Sequence, residues 1–310
     1  MTEASFLLKS FAKINLGLEV IGRRADGYHL LRTVFQTIGL HDAIQVKAGR
    51  GRGFSLTGDG DVDWGGSNTI RKAVELFSQV SGTAVDIEVS VKKRIPPGGG
   101  LAGGSSNAAV MLAFLNEYSG IRLSLPELLR LAAEIGADVP FFLVGGRVLG
   151  RGIGDLLFPL PDQQASWAAL SFSPLAVETR KVFQAMTLTR KPGDSKILTF
   201  IKENDFSQLE NDLEKTAISL FPELGEKKKK MMDSGLAGVI MSGSGSTFFS
   251  ILPSQQAAKD RYSSSELHYF PLLGRQEYLA NIGVWPSGKA SVFGADIRRF
   301  ESSHPRWPHE

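Results

Sequence analysis

The chain has 310 residues, of which 42% are hydrophobic and 22% charged, a composition typical of a globular protein and long enough for two domains. Its formal net charge of +3 is too small to indicate nucleic-acid binding, and its dense basic run, Lys227 to Lys230, is typical of a solvated helix face. The absence of cysteine excludes disulfides, thiolate metal sites and a cysteine nucleophile.

No segment of the sequence is typical of export or membrane insertion. The first residues, MTEASFLLKSFAKINLGLEV, lack a basic region followed by an uninterrupted apolar core, so they do not resemble a signal peptide. No window approaches the ~20 apolar residues that a membrane-spanning helix needs. We therefore expect a cytoplasmic protein that contacts neither a membrane nor nucleic acid. A monomer and a homodimer both remain open.

The start of the chain alternates like a β-strand. Residues 5–20 place apolar side chains on one face, while the other face carries Lys13 and Asn15. Asp26 and Gly27 predict a hairpin turn. Further strands are expected at 33–39, 43–48 and 85–92. These patterns indicate a sheet whose first strand presents a cation and an amide two residues apart.

Helix signals follow in the middle of the chain. Asn68 is a suitable N-cap for a helix to about residue 80, and Ser105 and Ser106 open an alanine-rich helix to about residue 118. Ser124 starts a third helix, which is expected to end near Gly136. A strand is predicted directly after Asp138. The remaining elements are a strand at 167–173, helices at 179–186, 206–218 and through the lysine run, and a strand–glycine turn–strand unit at 235–252.

This order of elements predicts an α+β protein of two domains. Pro159, Pro161 and Asp162 cluster where the boundary is expected. The predicted organisation is an N-terminal domain over 1–158, a C-terminal domain over 159–282 and a tail of doubtful structural role over 283–310.

The strongest chemical signal is the segment PPGGGLAGGSSNAAV (96–110), which lies between a predicted strand and a predicted helix. Backbone N–H groups that converge at the positive end of a helix dipole bind phosphate oxygens. The segment is not a Walker A loop, because no GK[ST] closes it, and it does not match G-x-G-x-x-G. A flexible glycine hinge is the alternative, although the order of strand, glycines, serines and helix disfavours it.

With three further segments, this loop resembles the GHMP kinase superfamily. FAKINLGLEVIGRRADGYH (11–29), GADVPFFLVGG (136–146) and MSGSGSTFF (241–249) are similar to other motifs of that superfamily, and the resemblance covers roughly residues 5–255. It implies a two-domain fold with the active-site cleft between the domains, and ATP and Mg²⁺ as cofactors. RADGYH is most similar to members that phosphorylate a cytidine diphosphate-linked polyol for isoprenoid precursors.

The resemblance assigns two catalytic residues. The aspartate that takes the proton of the acceptor hydroxyl corresponds to Asp138, and the lysine that orients the hydroxyl and stabilises charge corresponds to Lys13. Phosphoryl transfer depends mainly on positioning and electrostatic stabilisation, and a nearby ammonium favours the charged form of a carboxylate. The alternatives are that Asp138 caps backbone groups in a loop and that Lys13 is a plain surface lysine.

The resemblance also implies binding residues for the nucleotide and for the acceptor. The ATP-binding set is Pro96, Pro97, Gly98, Gly99, Gly100, Leu101, Ala102, Gly103, Gly104, Ser105, Ser106 and Asn68, with Ser106 as a candidate Mg²⁺ ligand. The acceptor-binding set is Asn15, Tyr28, His29, Thr179, Gly243 and Gly245. A helix-cap role explains Asn68 nearly as well, a turn histidine explains His29, and a tight hairpin explains the two glycines. Ala102 replaces a frequent glycine, which a negative φ would tolerate.

These features predict an ATP-dependent small-molecule kinase. A second hypothesis is another superfamily kinase that acts on a sugar, homoserine or mevalonate, although a Tyr–His pair suits a nucleobase better than an aliphatic acceptor. A third is a nucleotide-binding module without transfer activity, which would need neither Lys13 nor Asp138.

The last ~28 residues match no motif of the superfamily. The string RRFESS is what a tRNA T-loop consensus gives when it is translated in one frame, so we hypothesise that this segment is an out-of-frame read into a neighbouring tRNA gene. The hypothesis predicts a loosely packed tail.

Overall fold

The computed structural model describes residues 4–49, 51, 53–162, 166–188, 195–254 and 266–283. The predicted tail, apart from Gly283, lies outside the described residues. Two sheets organise the fold, one of six strands and one of four. The mixture of helices and sheets confirms the predicted α+β class.

A long antiparallel hairpin is the largest part of the first sheet. Strands β1 (Ala4–Arg23) and β2 (His29–Ala48) each have 20 residues and pair along their whole length. The predicted turn lies between them, where Gly27 has a φ of +90° that suits glycine. The expected break between two strands at 33–39 and 43–48 was wrong. Since His41 and Asp42 pair with Phe11 and Ser10, β2 continues through the polar interruption, with a register shift before His41.

The other strands of the first sheet extend from β2. Strand β2 pairs with β4 through its C-terminal part and with β5 through its N-terminal part, and the strand order is β3-β4-β2-β5-β6 with β1 attached to β2. These strands are β3 (Ser55–Gly58), β4 (Ile87–Lys92), β5 (Arg147–Arg151) and β6 (Leu156–Pro159).

Four helices cover this sheet and bury its core. They are α1 (Thr69–Ser81), α2 (Gly103–Tyr118), α3 (Leu125–Ile135) and α4 (Val139–Val144). Two of the predicted N-caps are confirmed: the Asn68 side chain accepts from Ile70 N, and Ser124 forms a capping box with Glu127. Helix α2 begins two residues earlier than predicted, at Gly103.

The strand predicted after Asp138 was wrong, because Val139–Val144 is helix α4. All six residues are apolar and buried, so the sequence carries no periodicity that separates a buried strand from a buried helix. Pro140 lies in the first turn, where its missing N–H costs no hydrogen bond.

The second sheet has the strand order β10-β7-β9-β8 and is antiparallel throughout. Its strands are β7 (Trp167–Ser171), β8 (Ile240–Met241), β9 (Phe248–Leu252) and β10 (His268–Pro271). The helices of this part are α5 (Thr179–Ala185), α6 (Lys196–Glu203), α7 (Glu214–Leu220), α8 (Pro222–Asp233) and α9 (Arg275–Asn281), with a 3₁₀ turn at Phe206–Gln208. The lysine run lies on α8, as predicted.

The end of the described chain returns to the first sheet. Helix α9 places Tyr278 in the same core as Leu8 and Phe11, and Tyr278 Oη donates to Phe142 O at 2.5 Å. Burial raises the pKa of the Tyr278 phenol, which therefore stays a hydrogen-bond donor. The predicted division at residues 158 and 159 stays a prediction. Within the described ranges, every helix is too short or too polar to cross a bilayer.

Candidate active site

A cavity of about 690 Å³ opens between the two sheets. Its walls come from β1 and β2, the glycine loop at 96–104, the first turn of α2, the start of α4, the segment before and within α5, and the turn between β8 and β9. Residues from distant parts of the sequence therefore share one space. Most of the residues that the sequence nominated lie on its surface.

Lys13 lies at the centre of this cavity and is almost fully buried. Its Nζ donates to Asn15 Oδ1 at 2.6 Å and to Gly100 O at 2.9 Å. The register of β1 shifts on both sides of the Lys13–Asn15 segment, between Phe11 and Lys13 and again after Asn15. Such irregularities re-aim side chains. Because the glycine loop covers this face of the strand, Lys13 is not the surface lysine that was the alternative.

Asp138 faces Lys13 across the cavity. Its Oδ2 lies 3.5 Å from Lys13 Nζ, and its side chain keeps about a third of its surface exposed (33%). Asp138 occupies the N-cap position of α4, yet its side chain makes no capping hydrogen bond. The alternative role as a backbone cap is therefore not realised, and the carboxylate points into the cavity beside an ammonium.

The glycine loop is held from two sides. Gly100 O accepts from Lys13 Nζ and from Ser242 Oγ, while Thr247 N donates to Gly99 O at 3.2 Å. Gly98 and Gly100 have φ angles of +68° and +74°, which explains why glycine stands at both positions. The loop is thus fixed in place against β1 and the β8–β9 turn before any ligand binds.

Ala102 has a φ of +54° and is the N-cap of α2. The expectation of a negative φ there was wrong. An L-residue pays for this left-handed conformation, roughly 1–2 kcal/mol, so the loop holds Ala102 in a conformation that glycine would adopt more easily.

The two serines of the loop have different environments. Ser105 lines the cavity, whereas Ser106 is fully buried and its Oγ accepts from Ser10 Oγ at 2.8 Å. The geometry therefore opposes the prediction of Ser106 as a Mg²⁺ ligand, because its hydroxyl points into the protein. One residue along a helix turns the side chain by about 100°, so the sequence alone could not choose between the two.

One end of the cavity is formed by residues 62–69. Asn68 lines it, and both ends of its amide form local hydrogen bonds, since Oδ1 accepts from Ile70 N and Nδ2 donates to Asp63 O at 2.9 Å. Hydrogen bonds from Gly65 N and Ser67 Oγ lower the pKa of Asp63, so this carboxylate is ionised at neutral pH. The helix-cap explanation of Asn68 is thus the one that the structure supports.

The other end of the cavity contains three of the six nominated acceptor residues, Asn15, Thr179 and Gly243. Asn15 Nδ2 donates to Thr33 Oγ1 at 2.8 Å, and the Thr179 and Ser244 hydroxyls lie 2.8 Å apart. Gly243 also lines this end, and a Cβ there would lie 3.2 Å from Asn15 Oδ1. Gly245, in contrast, faces Met241 Sδ rather than the cavity.

Tyr28 and His29 lie at the rim of this end rather than in its wall. Tyr28 is 61% exposed on the hairpin turn and does not line the cavity. The His29 ring packs against Phe183, a cavity residue, with the ring centroids 5.2 Å apart. Burial, and then the charge of Arg23, lower the pKa of His29, so its imidazole is neutral at pH 7.

Sequence reasoning missed the residue that shapes the β8–β9 turn. Asn211 is buried, and its Nδ2 donates to both Met241 O and Gly243 O at 2.7 Å. An amide that bonds two backbone groups from a position 30 residues away fixes the turn against the cavity. The local sequence around Asn211 gave no signal of this contact.

A second missed feature anchors the entrance of the glycine loop. Asp42 is completely buried, pairs with Lys93 and accepts from Arg94 N at 2.7 Å and Ile95 N at 2.9 Å. Lys93 itself lines the cavity. The carboxylate therefore ties the last residues before the loop to β2.

Replacing Asp42 by alanine is expected to lower the free energy of unfolding by about 3–5 kcal/mol, because it leaves Lys93 and two backbone N–H groups without their buried partner. Urea denaturation followed by circular dichroism measures the change. Asp61→Ala, at an exposed loop position, is the matched control and should change stability by less than about 0.5 kcal/mol. A loss below 1 kcal/mol in Asp42→Ala would show that the anchor contributes little.

Comparison with known proteins decides the family. Residues 68–146 match the GHMP kinases N terminal domain, and residues 196–264 match the GHMP kinases C terminal domain. A relative from Alkaliphilus metalliredigens (strain QYMF), 4-diphosphocytidyl-2-C-methyl-D-erythritol kinase, is 34% identical over 270 residues, which cover 84% of this chain and 93% of the relative. The chain belongs to the GHMP kinase family.

Solved GHMP-family structures agree with this assignment. A crystal structure of 4-(cytidine 5'-diphospho)-2C-methyl-D-erythritol kinase matches with a TM-score of 0.71 and 35% identity, over 88% of this chain and 100% of that one. A homoserine kinase from Cytophaga hutchinsonii matches with a TM-score of 0.68 at 19% identity, over 88% of this chain and 96% of that one, which shows the shared fold alone. This GHMP kinase is therefore an ATP-dependent small-molecule kinase, and the hypothesis of a module without transfer activity is set aside.

Proposed function

We propose that this GHMP kinase transfers the γ-phosphoryl group of ATP to the 2-hydroxyl of 4-diphosphocytidyl-2-C-methyl-D-erythritol, in the non-mevalonate route to isoprenoid precursors. The observation that carries the proposal is the 3.5 Å approach of Lys13 Nζ to Asp138 Oδ2, beside the glycine loop, in a chain 34% identical to a kinase of that name over 93% of its length.

The reaction needs a proton acceptor, charge stabilisation and alignment. Asp138 is the general base, because its carboxylate is partly exposed to the cavity and bonds no backbone cap. Lys13 holds the acceptor oxygen and stabilises negative charge as the phosphoryl group moves. The N–H groups of Gly103, Gly104 and Ser105 have no partner within α2, since the first residues of a helix lack one, and they bind phosphate oxygens.

Mg²⁺ fits this cavity as an ion held mainly by the nucleotide. Mg²⁺ in such sites keeps several waters and binds one or two protein oxygens together with substrate phosphates. Among the described residues there is no cluster of three or more histidine or acidic side chains that would hold a metal alone. The Ser105 hydroxyl, which lines the cavity beside the phosphate loop, is the proposed protein ligand. The bound ion would neutralise charge on the phosphates.

The acceptor end has the chemistry of a cytidine site. Leu18, Leu31, Phe183 and Leu213 give an apolar wall, while Asn15 and Thr179 add polar groups. The Phe183 ring, which packs against His29, offers an aromatic surface for cytosine. A neutral imidazole can accept a hydrogen bond from the cytosine amino group, which is the role we assign to His29. Tyr28 lies one residue away, at the rim, and is proposed to cover the base after binding.

The pH dependence of acceptor binding tests the role of His29. Because its pKa lies below the usual 6.5, the KM for the cytidine-linked acceptor is expected to be constant above pH 7 and to rise only as the imidazole is protonated below that value. Steady-state kinetics between pH 5 and 8 measure this. His29→Gln, which does not titrate, should lose the rise; a rise that persists in His29→Gln would assign the titration to another group.

A panel of acceptor alcohols tests the proposed function. ADP production should be fast with 4-diphosphocytidyl-2-C-methyl-D-erythritol and at least ~100-fold slower in kcat/KM with homoserine, mevalonate or galactose, since a site built around buried polar partners rejects ligands that leave them unpaired. A reaction without acceptor is the control. Preference for one of the plain alcohols would show that the chain is a GHMP kinase of another specificity.

A further inference from the structure

Trp64 forms part of the cavity wall at the end away from the acceptor residues. That end is next to the phosphate loop, since Thr69 Oγ1 donates to Gly104 O at 2.7 Å. The terminal phosphate of ATP is proposed to lie at Lys13. When the triphosphate follows the loop from there toward Gly103 and Gly104, the nucleoside lies at this end of the cavity. The residues between 62 and 69 are therefore the ones expected to contact the base.

The indole of Trp64 is fixed on its outer side by the first sheet. It lies against Gly58 of β3, where a Cβ would be only 2.6 Å from Trp64 Cε2. Glycine at this position leaves the space that the ring occupies. The loop that carries the ring is also fixed, because Asp63 Oδ1 accepts from Gly65 N at 2.7 Å and Ser67 Oγ donates to Asp63 Oδ2 at 2.8 Å.

Few polar groups at this end of the cavity could form a hydrogen bond with the base. The Asn68 amide already bonds Ile70 N and Asp63 O, which fixes its direction and leaves one N–H and one lone pair at most for a base edge. The indole ring of Trp64 is the remaining surface at this end that is large enough to pack against a base. Aromatic side chains bind bases by stacking, which tolerates different base identities because every base has a π-face.

We propose that Trp64 is the nucleobase-binding residue of the ATP site, and that it binds the purine through ring contact rather than through a hydrogen bond. The Trp64 Nε1 group is buried and has no hydrogen-bond partner in the described part of the chain. Because this nitrogen has almost no accessible surface, it does not reach a base in the cavity, and the exposed part of the ring makes the contact. The proposal depends on the family's use of ATP, and it does not depend on the identity of the acceptor.

Equilibrium binding of ATP in the absence of acceptor tests the proposal. Trp64→Ala should raise the Kd of ATP by roughly 5- to 100-fold, the range found when a base loses its aromatic stacking partner. It should leave the Kd of inorganic tripolyphosphate, which has no base, within twofold of the unmodified enzyme. Trp64→Phe keeps an aromatic ring and should retain ATP binding to within a few-fold.

Turnover and fluorescence give two further readouts. In Trp64→Ala the KM for ATP should rise while kcat at saturating ATP and the KM for the acceptor stay unchanged, as expected for lost ground-state binding. ATP should quench the intrinsic fluorescence of the unmodified protein and of Trp167→Phe, whose residue lies on the second sheet, but not that of Trp64→Phe.

Three results would overturn the proposal. The first is an unchanged ATP affinity in folded Trp64→Ala. The second is an equal loss of ATP and tripolyphosphate binding, because it would show that the substitution only disturbs the loop. The third is full quenching in Trp64→Phe, which remains measurable if the alanine variant does not fold. Failure of the acceptor panel leaves these measurements unaffected, since no acceptor is present.

Discussion

Asp138→Asn is expected to lower kcat by about 10²–10⁴-fold, the scale of general-base catalysis. The substitution keeps the size of the side chain and its place at the start of α4, but an amide does not take the proton of an alcohol. The Kd of ATP should stay nearly the same, because the groups proposed to bind phosphate belong to the glycine loop and to α2.

The control for this variant is Asp233→Asn, at an exposed position at the end of α8 and away from the cavity lining. It should keep kcat within twofold. Rapid-quench measurement of ADP formation separates the chemical step from product release. If Asp138→Asn kept more than a tenth of the kcat, another group would have to be the base.

Gly100→Ala is expected to have the second large effect. Gly100 has a φ of +74°, which costs alanine about 1–2 kcal/mol. The added Cβ would also overlap the Ser242 carbonyl oxygen and lie 3.0 Å from Gly245 O, and both neighbours are backbone atoms. The loop must therefore move away from the β8–β9 turn, which shifts the Gly100 carbonyl that Lys13 Nζ binds.

Turnover in Gly100→Ala should fall by at least ~10²-fold, since a displacement of about 1 Å at a reacting centre costs that much. The thermal midpoint, measured by calorimetry, should fall as well. Gly120→Ala is the matched control, because Gly120 also has a positive φ, +72°, but nothing lies within 4 Å of its added Cβ. Normal turnover in Gly100→Ala would contradict the view that this loop is fixed before ATP binds.

Local sequence signals predicted a large part of the fold. Asn68 and Ser124 are caps whose partners lie two or three residues away, so their helices could be placed from the sequence. Helix α4 was mistaken for a strand, because a short run of buried apolar residues has no distinguishing period. Helix α6 was not predicted at all. Its Ile197 N bonds the distant Glu19, a tertiary contact that no local pattern reveals.

The sequence nominated the candidate site through motifs, and the structure shows which nominated groups share the cavity. Lys13, Asp138, Gly100 and Thr179 lie there together, while Ser106, Gly245 and Tyr28 face elsewhere. These differences depend on the direction of individual side chains, which a motif does not specify. Asn211 and Asp42 could not be found from motifs, because each acts on backbone groups far along the chain.

A crystal structure with a non-hydrolysable ATP analogue and 4-diphosphocytidyl-2-C-methyl-D-erythritol tests the central claim most directly. We expect the 2-hydroxyl oxygen within about 3.2 Å of an Asp138 carboxylate oxygen, with Lys13 Nζ beside it and the terminal phosphate between it and the glycine loop. An acceptor hydroxyl bound out of reach of Asp138, or a terminal phosphate turned away from Lys13, would contradict the account.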